Sequence, residues 1–439
     1  MEVTVKDTAT VLPARPTPRR TLWCSDLDLL VARFHTSTVY FYRSSDSSQS
    51  LGCLLDAAVL KEALAEVLVD FYPAAGRKRL DGKDRWEIDC NGEGAVFLEA
   101  ECNVGLDEFV GFGPGNEPKY MQLVPQPAAA AGSEHDVSAC PLLLLQVTQF
   151  LCGGASLGVS CDHFLGDGFA ALHLINSWAD AARGVIPATP PLIDRTVLAP
   201  RDPPAPSFSH SEYQPPPSIA KQLTPDLEQP FVAASFRLNP ADIVRLKSKV
   251  AAAGGKCSTY EAIVAHTWRC ACIARALPAD QKTRLYMPVS LLRRLDPPLP
   301  TSYLGNAVIT AVCDATAGEV TRLPVDQVAG KVRATLSKID DAYLRSMLDY
   351  LRLQSNLSEA TQGTRFFGCP NLHVNSWVQL PIYGADFGWG KPVFMGSARE
   401  RREGMVQILP QPSAEDGLTV AIGLHPAAME EFKRDFYDF

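Results

Sequence analysis

The sequence has no uninterrupted apolar run of about 18 residues, the length that a membrane-spanning helix requires. Its longest apolar stretch, residues 141–159, contains Gln146, Gln149 and a pair of glycines, and therefore predicts two core strands. The first residues lack the charged segment followed by an apolar segment that marks a secretory leader. We expect a cytosolic (cytoplasmic) protein with no membrane partner.

The sequence also has no excess of positive charge. Its 41 Lys and Arg residues are outnumbered by 49 Asp and Glu residues, which gives a formal net charge of −8 at pH 7. The basic residues do not form a cluster interleaved with aromatic residues, which is the pattern of a nucleic-acid-binding surface. We therefore expect no nucleic-acid partner.

A disulfide framework is not indicated either, although the chain has 12 cysteines. In a cytosolic protein these residues are expected to be reduced and mostly in the core. Cys270 and Cys272 form a C-x-C pair, but no second pair follows at the spacing of a zinc site.

The length of 439 residues predicts two domains of about 200 residues each. The strongest change in composition is the stretch from 187 to 217, whose 10 prolines predict an extended crossover. Predicted strands and long helices occur on both sides of it, which indicates α/β layering in both halves. We assign residues 1–185 to an N-terminal domain, 186–221 to the linker and 222–439 to a C-terminal domain.

The segment CDHFLGDGF, residues 161–169, places a histidine and an aspartate four residues apart. His163 and Asp167 at this spacing suit a metal site on a helix, but the glycines that flank the aspartate disfavour a helix there and no third ligand follows. Just upstream, GASLG at 154–158 matches the G-x-S-x-G turn of serine hydrolases around Ser156. That turn requires a helix directly after the serine, whereas the residues that follow predict more strand. Both interpretations are disfavoured.

The third interpretation makes His163 a general base. An imidazole has a pKa near neutrality, so it can take a proton from an alcohol or an amine that attacks a carbonyl. The preceding strand would deliver the ring to a loop, and the glycines would leave room for a substrate. A core histidine with a purely structural role fits the same spacing, and Asp167 fits either an acidic partner or a turn residue. The spacing alone leaves these possibilities open.

A second motif, DFGWG at residues 386–390, changes the weight of the alternatives. H-x-x-x-D-G at 163–168 followed by D-F-G-W-G resembles the motif pair of the plant BAHD acyl-CoA-dependent acyltransferases, in the same order and at a similar separation. The resemblance covers essentially the whole chain. Segments such as RFHTSTVYFYR, IDRT, STYEAIVAHTWRCAC, YLGN and CPNLHVNSWVQLPIYG are similar to the hydroxycinnamoyl-CoA shikimate/quinate hydroxycinnamoyltransferase branch.

The resemblance implies an α/β fold with two chloramphenicol-acetyltransferase-like domains, each a mixed sheet flanked by helices, joined by the long crossover. It implies a monomer that uses acyl-CoA as cosubstrate, with no bound cofactor and no metal. His163 would deprotonate a small-molecule acceptor that attacks the thioester directly, and the tetrahedral intermediate would collapse with loss of CoA. A non-catalytic relative that binds acyl-CoA is the alternative from a different class, and the intact motifs disfavour it.

The resemblance also assigns roles to other residues. Asp167 would support the motif structurally by pairing with an arginine, for which Arg294 is the candidate, and Asp386 and Gly388 would shape a loop away from the reacting atoms. The expected substrate contacts are Asn375 and Trp377 at the acceptor and oxyanion, His35, Ser37 and Tyr40 at the acyl group, and Lys256, Ser258 and Thr259 at CoA.

The chain departs from the branch where the acceptor's carboxylate would bind. Gln362 and Gln379 stand where the branch has arginines, although Arg365 lies three positions from the first of them. A neutral amide cannot replace an Arg–carboxylate pair. We therefore expect an amine such as tryptamine or tyramine, or a neutral alcohol, with shikimate or quinate as the alternative. Asp162 is another departure, and its carboxylate would attract an ammonium group if it bent towards His163.

Overall fold

The computed structural model describes residues 2–31, 35–43, 56–82, 85–109, 117–127, 139–219, 230–251, 257–357, 366–399 and 402–439. The chain forms two compact units. Unit 1 comprises Met1–Ala199, Leu299–Ala307 and Leu380–Glu400, and unit 2 comprises Pro200–Pro298, Val308–Gln379 and Arg401–Phe439. This division differs from the one expected along the chain, because the DFGWG segment belongs to unit 1.

The elements follow in chain order. The strands are β1 (Val3–Val11), β2 (Thr21–Leu22), β3 (His35–Tyr42), β4 (Arg77–Leu80), β5 (Trp86–Asp89), β6 (Ala95–Cys102), β7 (Leu143–Phe150), β8 (Ala155–Asp162), β9 (Val232–Leu238), β10 (Lys282–Ser290), β11 (Val308–Thr316), β12 (Leu372–Ser376), β13 (Phe394–Ser397), β14 (Met405–Pro410) and β15 (Leu418–Leu424). The helices are α1 (Asp26–Leu30), α2 (Ala57–Asp70), α3 (Leu106–Phe109), α4 (Glu117–Tyr120), α5 (Gly168–Ala182), α6 (Pro240–Ala251), α7 (Thr259–Ala274), α8 (Ala317–Arg322), α9 (Val325–Ser337), α10 (Asp341–Arg352) and α11 (Pro426–Asp435).

Unit 1 is built on a mixed sheet with the order β1-β6-β7-β8-β3-β13. Strands β6 and β7 are parallel and the other neighbours are antiparallel. Helices α2 and α5 pack against each other and cover one face, where Trp178 is fully buried, donates its indole N–H to the Leu60 carbonyl and meets Phe97 edge-on. The opposite face buries Val39 and Phe41.

Unit 2 is built on a second mixed sheet with the order β11-β10-β12-β14-β15-β9, in which β12 is parallel to both of its neighbours. Side chains alternate between the two faces of a strand. One face is apolar and packs against helices α7, α9 and α11, with Trp268 of α7 donating to Thr283 of β10. The opposite face carries Tyr286, His373 and Asn375.

These mixed sheets flanked by helices confirm the predicted fold class. Over the described residues 187–217, the proline-rich stretch forms two short 3-10 turns, Thr196–Leu198 and Ser211–Tyr213, and an isolated β-bridge from Leu192 to Tyr303. Among the residues that the structure describes, no helix is long and apolar enough to cross a membrane.

Candidate active site

Strand β8 delivers His163 to a turn, as the sequence predicts. The strand ends at Asp162, and His163 is the first residue of the turn that leads into α5. The His163 side chain is half-buried. Gly166 lies in this turn at a crowded position, because a Cβ atom there would lie 2.5 Å from the Ala170 Cβ.

The imidazole of His163 contacts the side chain of Asn306, a residue of the same unit. The two atoms involved, His163 Nδ1 and Asn306 Oδ1, lie 3.0 Å apart. The Asn306 amide has one consistent orientation. Its Nδ2 lies 2.9 Å from both Asp28 Oδ1 and the His163 carbonyl oxygen, and these two oxygens can only accept hydrogen bonds. Asn306 Oδ1 therefore accepts a hydrogen bond from His163 Nδ1. In the neutral ring this assigns the lone pair to Nε2.

Asn306 is itself held by a buried ion pair. Asp28 accepts the Asn306 backbone N–H at 2.9 Å and lies 3.2 Å from Arg195, whose side chain is fully buried. Arg195 also donates to the carbonyls of the two residues after His163. The loop that carries His163 is thus held through both its side chain and its backbone.

Nothing in the sequence spacing marks Asp28, Arg195 or Asn306 as site residues, because they come from three distant segments. Arg195 lies in IDRT and Asn306 in YLGN, two of the segments that carry the family resemblance. The available signal was therefore the resemblance of these segments and not a motif of known chemistry.

Asp167 is the N-cap of helix α5. Its Oδ1 accepts the backbone N–H groups of Phe169 at 2.9 Å and Ala170 at 3.2 Å, and its Oδ2 accepts the N–H of Ala307 at 3.0 Å. Burial raises the pKa of the Asp167 carboxyl, and these N–H groups oppose the shift. The carboxylate therefore joins the start of α5 to the segment that contains Asn306.

The expected partner of Asp167, Arg294, has other contacts. Its guanidinium donates to the carbonyls of Leu336 at 2.8 Å and Ile339 at 2.7 Å, both in unit 2. The expectation of an Arg294–Asp167 pair is therefore wrong, because Arg294 closes the end of α9 and backbone amides satisfy Asp167.

The DFGWG loop packs on helix α5 within unit 1. Asp386 Oδ1 accepts the N–H groups of Gly388 at 2.9 Å and Gly390 at 3.0 Å, which bends the loop. Gly388 has a φ of 102° and Gly390 a φ of 93°, values that favour glycine. Phe387 stacks on Trp389 and meets Trp178 of α5 edge-on, with ring centroids 4.8 Å apart. Asp386 and Gly388 thus shape the loop through its backbone.

The expected acyl-group contacts on β3 lie on two different faces of the strand. Tyr40 shares a face with Thr36 and Thr38, whereas His35 and Ser37 point to the other side. The Thr36 hydroxyl is buried and has no hydrogen-bond partner among the described residues. The three expected residues therefore cannot line one pocket together, and Thr36 is a candidate that the sequence analysis missed.

His35 is buried beside Asp162 and not at an open surface. Its Nε2 lies 2.8 Å from the Pro141 carbonyl oxygen, and its Nδ1 lies 3.8 Å from Asp162 Oδ2. Burial lowers the pKa of His35. The Asp162 carboxylate is fully buried and forms an ion pair with Lys78, so the positive partner of Asp162 in the structure is Lys78 and not an ammonium group of the acceptor.

The expected acceptor residues of unit 2 lie at the end of β12. Asn375 is half-buried in the strand and is paired in register with Gln407 of β14. Trp377 follows the strand and donates its backbone N–H to the Ile408 carbonyl. Gln379 is exposed in the next turn.

The expected CoA contacts are only partly described. Ser258 is the N-cap of α7, where its Oγ accepts the N–H of Glu261, and Thr259 is the first residue of that helix. Lys256, Gln362 and Arg365 lie outside the described residues.

His373 is a further polar residue on the same sheet face as Asn375. Its ring lies against the Phe367 ring, tilted by 32° with centroids 4.2 Å apart, and its buried Nδ1 has no hydrogen-bond partner in the described parts of the chain. Burial lowers the pKa of His373 to about 4, so the ring is neutral at pH 7. It stands two residues before Asn375, a spacing that sequence reasoning overlooked.

The two disfavoured chemistries gain no support from the structure. Ser156 is a fully buried residue of strand β8 and not the apex of a strand–turn–helix elbow. Over the described residues, no group of three or more His, Cys, Asp and Glu side chains is arranged to hold a metal ion.

Comparison with known proteins gives a consistent result. The model of the Transferase family matches residues 1–439. The chain is 44% identical to the hydroxycinnamoyl-CoA:5-hydroxyanthranilate N-hydroxycinnamoyltransferase of Avena sativa, with 99% of each chain covered. It is also 44% identical to the shikimate O-hydroxycinnamoyltransferase of Nicotiana tabacum, with 100% of each chain covered. The crystal structure of vinorine synthase matches with a TM-score of 0.75 at 23% identity, covering 98% of this chain and 96% of that one.

Proposed function

We propose that this chain, which belongs to the Transferase (BAHD) family, moves an aromatic acyl group from CoA to an amine or a neutral alcohol, with His163 as the general base. The family makes it an acyl-CoA-dependent acyltransferase, an enzyme whose cosubstrate is acyl-CoA. The contact between His163 and Asn306 is the observation that carries the proposal.

The proposed chemistry begins at Nε2 of His163. Because Asn306 holds the proton on Nδ1, Nε2 is the atom that accepts a proton from the acceptor's hydroxyl or amine. The acceptor's oxygen or nitrogen then forms a bond to the thioester carbonyl carbon, which gives a tetrahedral oxyanion. The carbon–sulfur bond breaks, and the CoA sulfur leaves and takes the proton back from Nε2. Atoms and charge balance without an acyl-enzyme.

Asn375 and Trp377 are the proposed groups that position the acceptor and the oxyanion. Both N–H groups of the Asn375 side chain and the indole N–H of Trp377 are donors, which suits a developing negative charge. Loss of one such donor typically costs about 3 kcal/mol of transition-state stabilisation. The family resemblance at CPNLHVNSWVQLP supports this assignment.

The proposed donor is a hydroxycinnamoyl- or benzoyl-CoA. The names of both 44% identical relatives specify a hydroxycinnamoyl group, which supports an aromatic donor for this chain. Tyr40, Thr36 and Thr38 share one face of β3 and are the proposed contacts of the acyl group. Ser258, Thr259 and Lys256 are the proposed contacts of CoA.

The proposed acceptor lacks the carboxylate that shikimate and quinate carry. Gln362 and Gln379 replace the two arginines of the branch. The described neighbours of Asn375 on its sheet face, His373 and Gln407, are also neutral. The two relatives differ in acceptor at the same identity, one named for an anthranilate nitrogen and one for shikimate. Overall similarity therefore does not decide the acceptor, and the proposal depends on Gln362 and Gln379.

Release of CoA from p-coumaroyl-CoA tests the acceptor class. The panel contains tyramine, tryptamine, agmatine, 5-hydroxyanthranilate, glycerol, shikimate and quinate. We expect glycerol or an amine without a carboxylate to give the highest kcat/KM. A preference for shikimate, quinate or 5-hydroxyanthranilate, each of which carries a carboxylate, would overturn the acceptor assignment, and Arg365 would then be the first candidate for their anchor.

The same assay separates the enzyme from a non-catalytic relative. A relative that only binds acyl-CoA would bind it without releasing CoA in the presence of any acceptor. The enzyme is further proposed to be cytosolic and monomeric, and size-exclusion chromatography with light scattering would reveal a dimer.

A further inference from the structure

We propose that Asp162 is a positioning residue that holds His163 in its reactive place, and that Lys78 is the partner of its buried charge. The inference deepens the proposed function, because it requires His163 to be the general base. It assigns a role to a buried pair of charges that lies beside the catalytic motif and outside it.

Asp162 closes the turn that carries His163. The Asp162 carboxylate accepts the backbone N–H of Phe164 through Oδ1 at 2.9 Å, and the Asp162 carbonyl accepts the N–H of Leu165, also at 2.9 Å. These two bonds close the turn 162–165, which begins at the last residue of β8 and has His163 as its second residue. The bond to Phe164 depends on the Asp162 side chain, so we infer that loss of this side chain loosens the turn that sets the direction of the His163 ring.

Lys78 supplies the positive charge that pairs with the Asp162 carboxylate. The side chain of Lys78 is 5% exposed and that of Asp162 is 0% exposed, so the pair is out of water. An unpaired carboxylate at this depth would be costly, whereas a paired one that is also hydrogen-bonded is stable. Lys78 comes from β4, which belongs to the small sheet of unit 1, so the pair joins two sheets of the same unit.

The other titratable groups near Asp162 do not supply this charge. The Nε2 atom of His35 must carry its proton, because a carbonyl oxygen of Pro141 faces it. Its Nδ1 therefore presents a lone pair to Asp162 when the ring is neutral, and burial lowers the pKa of His35. Cys140 lies 3.9 Å from the His35 ring, and burial raises the pKa of its thiol, which stays uncharged at pH 7.

The comparison of two double variants tests the positioning role directly. Asp162→Ala with Lys78→Met removes both charges and the bond to Phe164, whereas Asp162→Asn with Lys78→Met removes both charges but keeps an oxygen acceptor for that bond. Neither variant leaves an unpaired buried charge, so both are expected to fold. We expect the alanine variant to lose about 10-fold or more in kcat, since a 1 Å misplacement of a reacting group can cost about 100-fold. The KM values for acyl-CoA and acceptor should stay within about 3-fold, as positioning of the base is not binding.

The asparagine variant should recover most of the lost kcat. Equal kcat values in the two double variants, or wild-type kcat in both, would overturn the inference. Lys61→Met is the control, because Lys61 forms a Lys–Glu pair with Glu99 in the same unit, outside the contacts of the His163 turn. His163→Ala separates the two proposals: if it keeps wild-type activity, the proposed general base is wrong, and if it alone loses activity, only the positioning role is wrong.

The single variant Lys78→Met gives a second readout, one that a neutral packing role of Lys78 would not change. It leaves the Asp162 carboxylate buried without its positive partner, which costs more than the removal of both charges. Lys78→Met alone should therefore have a lower Tm than Lys78→Met combined with Asp162→Asn. An equal or higher Tm for the single variant would contradict the assigned ion pair.

Discussion

Replacement of Asn306 by alanine tests the assignment of the proton on His163. The change removes the side-chain contacts to His163 Nδ1, to the His163 carbonyl and to Asp28 Oδ1, and leaves the backbone N–H contact to Asp28. Two of the lost contacts hold His163. At about 1 kcal/mol for each hydrogen bond, the free energy that holds His163 in its reactive orientation falls by ~2 kcal/mol. This corresponds to about 30-fold in rate.

The loss should be larger if the ring also changes tautomer. Without Asn306 Oδ1, Nδ1 no longer has to carry the proton, and a ring with its proton on Nε2 cannot act as a base there. The full contribution of a general base is typically about 100- to 10,000-fold, which sets the upper limit. We therefore expect kcat of Asn306→Ala to fall by between ~30-fold and that limit, with a smaller change in KM.

The assay is release of CoA from p-coumaroyl-CoA with the best acceptor, measured for Asn306→Ala, His163→Ala and the double variant. Because Asn306 is inferred to act through His163, its removal should cost nothing further once His163 is absent. The reasoning would be refuted if Asn306→Ala stayed within 3-fold of wild type. Independent, multiplying effects of the two substitutions would refute it as well.

Four further predictions concern Asp167, His373 and Gln362. Asp167→Ala should lower the free energy of unfolding by about 1–2 kcal/mol, because it removes the N-cap of α5, and Asp167→Asn should lower it less; chemical denaturation measures both. His373→Phe keeps an aromatic ring against Phe367 but removes the unpartnered nitrogen, so KM for the acceptor should rise while KM for acyl-CoA stays unchanged. Because the pKa of His373 is lowered to about 4, the wild type should lose up to about 3 kcal/mol as the pH falls from 6.5 to 4, and His373→Phe should lose less. Gln362→Arg should raise kcat/KM for shikimate relative to tyramine, and no change in that ratio would count against the role of Gln362.

The parts of the site that follow from local sequence were predictable. The strand, turn and helix from β8 to α5 are encoded within residues 155–182, where glycines permit the turn and an aspartate caps the helix. The fold class followed in the same way, from alternating strand and helix patterns and from the family resemblance. Local hydrogen bonds and side-chain periodicity depend on nearby residues, so a single sequence reveals them.

The parts that depend on distant contacts were not predictable from spacing. Asn306 contacts His163 although the two residues lie 143 positions apart in the sequence. Tyr42 donates a hydrogen bond to the carbonyl of Ala385, which lies 343 positions further along the chain. The DFGWG loop therefore belongs to unit 1 although it lies near the C-terminus. Arg294 was assigned to Asp167 by resemblance, and the carbonyls of Leu336 and Ile339, at and just beyond the end of α9, satisfy it instead.

One error could have been avoided from the sequence alone. His35 and Ser37 are an even number of residues apart from each other and an odd number from Tyr40, so a strand must place them on the face opposite Tyr40. The interpretation of Asp162 from the sequence considered only its position next to His163. Its environment in the structure depends on Lys78, which lies 84 residues earlier.

The central claim is that His163 removes the acceptor's proton. The most direct test compares His163→Ala with the wild type in acceptor-dependent release of CoA from p-coumaroyl-CoA, after both proteins are shown to bind acyl-CoA with equal affinity. We predict a loss of at least about 100-fold in kcat for the variant, as expected for removal of a general base. A variant that binds acyl-CoA normally and keeps wild-type kcat would contradict the account.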